Sequence, residues 1–237
     1  MDEGRLPFLA RKRELDSLVH ALRNRQSRLI TGPSGTGKRR LIDEALAHFT
    51  PPHVRIRSWP EALHQLLVAL AAGLGCQHPR HPDLRKVTSS GLKSAILDRL
   101  TGQPRCIILE QVRNAEPKTY RFLQEIYHLR DCCLIVASEN RAELGYLGRL
   151  LWDPREEIAL KPLSRRDACV LFDAAASRFG LETAIAASIR EKTVSAAHGI
   201  PGQIIAMCRL AQRQEYRDGM RIMFVPLRID ALISTKL

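Results

Sequence analysis

The sequence predicts a three-layer α/β/α fold built on a five-stranded parallel sheet, with a small helical appendage after it. Three observations carry that expectation. Short apolar runs alternate with amphipathic stretches of about 10–15 residues, the pattern of βαβ units whose sheet is covered on both faces. A glycine-rich segment, Gly32 to Lys38, falls between the first apolar run and the helix after it. Beyond Pro162 the apolar runs stop and only helix-period patterns remain.

Leu15, Leu18, Val19 and Leu22 follow the i, i+3, i+4, i+7 rule, so a helix is expected between Arg11 and Arg25. The run Arg28-Leu-Ile-Thr31 is the first strand, and Arg39 to Phe49 reads as a helix stopped by Pro51-Pro52. Val54 to Trp59 is the second strand, followed by a helix from Glu61 to Leu74. Residues 75–86 carry prolines and no periodicity and are expected to form a loop. Gly91 to Leu100 is a helix with Leu92, Ile96 and Leu100 on one face. The apolar run from Cys106 ends in an acid, Glu110; a helix from Pro117 to Arg130 follows, then strands at Cys132–Ala137 and 156–160.

Ser164 opens the first helix of the appendage, with Asp167 three residues on as a variant of the capping box. A second helix runs from Thr183 to Ala197 and a third starts at Pro201. The organisation expected is a core at 1–160, a helical lid at 161–214 and a tail at 215–237 that includes Asp218-Gly219. The tail alternates weakly around Ile222 to Val225, and no element follows from that pattern.

Composition narrows the classes. The chain has 237 residues, 45% hydrophobic and 26% charged, which suits a packed globular protein and not a disordered one. Its first five residues, Met-Asp-Glu-Gly-Arg, lack the basic and apolar regions of a secretory leader, and no apolar run reaches the roughly 18 residues of a membrane span. A cytoplasmic protein with no membrane partner is expected. Six cysteines, none in a Cys-x-x-Cys pair, read as small core residues. The formal charge of +12 makes DNA a candidate partner, although the basic residues form only short clusters.

Gly32, Pro33, Ser34, Gly35, Thr36, Gly37 and Lys38 fit the spacing G-x-x-x-x-G-K between a strand and a helix. Glycines there let successive backbone N–H groups turn inward around a β-phosphate, and the helix N-terminus adds the positive end of its dipole. Lys38 brings a point charge to the β- and γ-oxygens. A purine nucleotide is the ligand this pattern calls for, with Arg39 beside it. Arg39 stands where such loops place a Ser or Thr whose hydroxyl ligates Mg²⁺, and a guanidinium cannot ligate a cation.

Glu110 closes an apolar strand and is the candidate metal-supporting acid; Gln111 follows where a second acid would activate water. A glutamine can orient water but cannot take its proton, and loss of a general base costs a factor of about 10²–10⁴.

With these motifs in place the chain resembles the AAA+/STAND branch of P-loop ATPases across residues 7–214, with a degenerate end to Walker A and a degenerate Walker B. Phe8-Leu-Ala-Arg-Lys-Arg-Glu-Leu15 is similar to the family's N-terminal box beside the adenine, with Ala10 in place of a glycine. Leu134 to Asn140 resembles the strand that ends in the sensor-1 polar residue, which puts Asn140 or Ser138 toward the γ-phosphate. His198-Gly-Ile-Pro-Gly202 is similar to the element that opens the last lid helix and places Pro201 near the nucleotide; the sensor-2 arginine is absent, since Gly202 and Gln203 stand there. Arg149 and Arg155 are candidate arginine fingers.

The resemblance implies ATP as ligand, Mg²⁺ only if Glu110 holds it without the missing hydroxyl, a protein partner, and self-association as in related ATPases. The function expected is a nucleotide-dependent switch or helper with weak or absent hydrolysis. Two alternatives stand beside it: an active ATPase assisting a DNA-acting or secretion complex, and a nucleotide-free scaffold.

Overall fold

The structure, a computed structural model, describes residues 6–78, 81–218 and 221–236; the five N-terminal residues read for a leader, and Gly219 of the tail, lie outside them. The chain divides into two units. One comprises residues 13–32 and 38–159, the other residues 6–12, 33–37 and 160–236.

The sheet unit contains α1 (Lys12–Arg23), β1 (Arg28–Thr31), α2 (Lys38–His48), β2 (His53–Ile56), α3 (Leu63–Gly73), α4 (Ser89–Leu100), β3 (Arg105–Leu109), α5 (Pro117–Tyr127), β4 (Cys132–Ala137) and β5 (Glu157–Ala159). Its five strands lie in the order β2-β3-β4-β1-β5, all parallel. This is the expected α/β/α sheet. All six residues of β4 and four of the five in β3 are buried, as strands covered on both faces require. Leu66, Leu70, Leu92, Ile96, Phe122 and Ile126 pack the helices against them.

Several boundaries differ from the sequence reading for local reasons. β2 stops at Ile56, three residues early, because the next rung, Glu110 N donating to Ile56 O at 2.9 Å, is the last that β3 offers. α5 ends at Tyr127, where the Leu129 amide bonds three residues back to Ile126 instead of four. The stretch expected as a plain loop holds one 3₁₀ turn, Leu84–Lys86, capped by the Asp83 carboxylate on the Arg85 amide at 3.0 Å.

The helical unit contains α6 (Arg165–Arg178), α7 (Thr183–Ala196), α8 (Pro201–Leu210), the strand pair β6 (Arg217–Asp218) and β7 (Arg221–Ile222), and α9 (Phe224–Lys236). Ser164 caps α6, its hydroxyl accepting the Asp167 amide at 3.1 Å and donating to the Asp167 carboxylate at 2.6 Å. Leu171, Phe172, Ala175, Ile204, Met207 and Leu227 form its core. The tail that the sequence left unplaced is a short antiparallel pair followed by a helix, tied back by Tyr216 donating to Asp230 at 2.6 Å. That bond to a carboxylate, with burial second, pushes the Tyr216 phenol up to about 12.

Gly199 joins α7 to α8 at φ +74, and a Cβ there would lie 2.4 Å from the Leu163 carbonyl oxygen. The contact is close because the Leu163 amide donates to the Gly199 carbonyl at 2.7 Å. Ala10, at the position of the family glycine, also has a left-handed φ of +53 and is exposed. The two positions predict opposite effects. Gly199→Ala destabilises by about 2–3 kcal/mol through strain and a backbone clash, whereas Ala10→Gly stabilises by up to about 1 kcal/mol by relieving strain. Urea unfolding curves of both variants check this.

Candidate nucleotide site

In a parallel sheet every strand delivers its C-terminus to the same edge. The register here pairs Ile30 with Ala137, Val136 with Leu109 and Leu109 with Ile56, so Gly32, Glu110 and Ser138 all emerge at one edge of the sheet unit. Backbone bonds fix them there: Gly32 N donates to Glu139 O and Ser138 N to Ile30 O, each at 3.0 Å.

The loop Gly32–Lys38 needs its glycines for conformation. Gly32, Gly35 and Gly37 have φ of +149, +79 and +98, and a Cβ on Gly37 would meet nothing within 4 Å, so φ and not crowding selects glycine there. Thr36 is buried and turns back on Pro33, donating through both its amide (3.2 Å) and its hydroxyl (2.8 Å) to the Pro33 carbonyl. Ser34 is half-buried and Pro33 exposed. Residues 33–37 group with the helical unit, where the Gly202 amide donates to Gly35 O at 2.9 Å and Pro201 is the first residue of α8.

Gly32 and Lys38 group with the sheet unit. Lys38 begins α2 and its ammonium donates to the Gly32 carbonyl. Burial pushes the Lys38 pKa below the ordinary lysine value, opposed by the negative charges of Glu139 and Glu143.

Glu110 is 3% exposed and both of its oxygens are taken. Arg55 Nε donates to one at 2.5 Å and Arg39 Nε to the other at 3.0 Å. Arg55 also reaches Asp43 on α2 at 2.5 Å. Burial opposes the charge on Arg55, but the hydrogen bonds and charges of Glu110 and Asp43 outweigh it and raise its pKa. Four side chains thus form a neutral chain, Arg39–Glu110–Arg55–Asp43.

The remaining expected residues are placed by their own surroundings. Gln111 is exposed and left-handed at φ +55. Asn140 caps the turn that follows β4, accepting the Glu143 amide and donating to the Glu143 carboxylate, both at 3.0 Å. Ser138 is buried and donates to Val112 O at 2.7 Å. Arg149 stacks on the Tyr146 ring at 4.9 Å, and Arg155 pairs with Asp153 at 2.9 Å.

No family model matches the sequence, and no curated protein matches it either. Solved structures do. The Orc1 protein of Aeropyrum pernix in complex with DNA aligns at TM-score 0.61 and 17% identity, over 98% of this chain and 66% of that one. The Thermotoga maritima RuvB Holliday junction branch migration motor aligns at TM-score 0.58 and 14% identity, over 97% and 70%. A STAND protein of Pyrococcus horikoshii with a tetratricopeptide repeat sensor aligns at TM-score 0.55 and 16% identity, over 98% and 34%. The fold is that of the AAA+ P-loop ATPases. The chain spans about two thirds of the Orc1 chain and one third of the STAND chain.

AAA+ ATPases imply a magnesium ion beside the phosphates, and the residues here do not fit one. No hydroxyl follows Lys38, and the strand-end acid has no oxygen left that a guanidinium does not hold. Among the described residues no cluster of three or more His, Cys, Asp or Glu is arranged to hold a metal. Glu110, expected to support a cation, is instead a buried counter-ion.

Sequence reasoning missed Arg55, Asp43, Glu139 and Glu143. An arginine on β2 beside a buried acid is visible only once β2 is paired with β3; Glu139 could have been found as an acid one serine beyond a fully apolar strand. Cys106, Cys132, Cys133 and Cys208 are buried. Cys106 and Cys133 are cross-strand partners, and a hydrogen bond between their thiols, with burial, holds the Cys106 thiol well above its usual range. Among the described residues no helix is long and apolar enough to cross a membrane.

A counter-ion role for Glu110 has a measurable consequence. Without any nucleotide, Glu110→Ala should destabilise the fold by about 3–5 kcal/mol, because it takes away one of the two carboxylates that hold Arg55, only 11% exposed, and leaves an empty space there. Guanidinium melts measure it; a change under about 1 kcal/mol is the mark of an acid kept only for a ligand.

Proposed function

We propose that this protein binds ATP on the loop Gly32–Lys38 and acts as a nucleotide-dependent switch or helper that recruits a partner, with hydrolysis weak or absent. The observation that carries this reading is the contrast between loop and acid. The loop keeps its three positive-φ glycines and a lysine at the start of α2, the parts that bind phosphate. Glu110 is locked between arginines and Gln111 cannot accept a proton, so the parts that activate water are missing. Pro201, the first residue of α8, lies one residue from the amide that holds Gly35, which supports its place beside the nucleotide. The partner is a protein, another copy of this chain, or DNA; a charge of +12 and the DNA complexes of Orc1 and Drosophila ORC favour testing DNA first.

A second reading has one observation of its own. The carboxylates of Glu139 and Glu143 act electrostatically on Lys38, so an acid other than Glu110 stands near the loop and could serve a working ATPase.

For ATP binding with a Kd near 10 μM, 1 mM ATP adds about 2.7 kcal/mol and raises the melting temperature by about 5–10 °C. Lys38→Ala should abolish that shift; an equal shift in the variant would sink the reading. Phosphate release should stay below about 1 min⁻¹, given the missing base, and faster release lost in Glu139→Gln would establish the second reading instead. If DNA is the partner, raising salt from 50 to 200 mM should weaken binding by about 10³-fold or more for six or more phosphate contacts.

A further inference from the structure

We propose that the triphosphate is held without a divalent cation, with the guanidinium of Arg39 supplying the positive charge that magnesium supplies in loops where a hydroxyl follows the lysine. This rests on the ATP-binding reading and goes one step beyond it.

The geometry of the sheet unit sorts the two arginines that hold Glu110 into a fixed one and a movable one. Arg55 is 11% exposed and anchored at both ends, by Glu110 and by Asp43. Arg39 is 54% exposed; its bonds are to Glu110 at 3.0 Å and a long one to the Arg57 carbonyl at 3.4 Å. Arg39 is therefore the member that can leave. When it does, Glu110 keeps the Arg55 bond and no bare buried carboxylate results. A metal ion taking that oxygen would have to displace Arg39 and then sit beside Arg55, which stays on the other oxygen of Glu110.

Arg39 is the second residue of α2, directly after Lys38. The first turn of that helix carries Lys38, Arg39 and Arg40 and no acid, so three cations crowd the end whose dipole is already positive. Within the protein Glu110 answers Arg39 at 3.0 Å and Glu44 answers Arg40 at 3.5 Å. A guanidinium presents planar paired donors that match two oxygens of one phosphate, which a lysine cannot do. Nucleotide binding then exchanges the Arg39–Glu110 bond for Arg39–phosphate, and the freed Glu110 oxygen reports occupancy at the sheet edge.

The test is a calorimetric titration of ATP into the full chain, once in excess EDTA and once in excess magnesium chloride. The affinities should agree within about threefold, because no cation–oxygen bond contributes. Arg39→Ser should lose at least about tenfold in EDTA and recover part of it with magnesium, since a charge-assisted bond is removed and a hydroxyl ligand supplied. Wild-type binding that appears only with magnesium overturns this inference and leaves ATP binding intact. Absence of heat in both buffers overturns the ATP reading itself. Unchanged EDTA affinity in a folded Arg39→Ser overturns the role of Arg39, and should that variant not fold, the two wild-type titrations decide alone.

Discussion

A carboxylate sealed at the end of a buried strand must be neutralised, and the sheet edge is organised around that need. Removing an ion from water costs several kcal/mol even after the protein relaxes, so Glu110 can stay charged only with close partners. Two arginines supply them, one from the neighbouring strand and one from the helix that follows the glycine loop. The second choice matters most. It ties the acid at the strand end to the residue directly after Lys38.

An AAA+ fold ordinarily divides the work at this edge: the loop grips phosphates, a hydroxyl and an acid hold the metal, and a second acid handles water. Here the glycine loop and its lysine are present, and the positions of the other parts carry a charge network among side chains. The pairing is mutual. Arg39 without Glu110 would add an uncompensated cation to a helix N-terminus, and Glu110 without Arg39 and Arg55 would be a bare buried anion.

The sheet was legible because β3 and β4 are buried on both faces, which leaves continuous apolar runs, and because glycine at a left-handed φ has few substitutes. α6 was legible because its cap is made by residues three apart. The tail was not, since α9 buries Leu227 and Ala231 while Val225, Ile229 and Ile233 face outward; with apolar residues on both sides, no period stands out. The partner of Glu110 was hidden for a different reason. Arg55 sits on an edge strand of alternating burial, and its meaning depends on a register with β3 that no local pattern encodes.

The division of the chain also limits how it can be taken apart. Residues 33–37 belong with the C-terminal helices although they lie inside the sequence of the sheet unit, so the backbone crosses from one unit to the other four times. No single cut separates the two. A fragment ending at residue 159 would keep the whole glycine motif as text yet lose the Gly202 amide that holds Gly35. Gly35 and the amide that holds it are 167 residues apart in sequence, and the motif's text alone does not carry that bond.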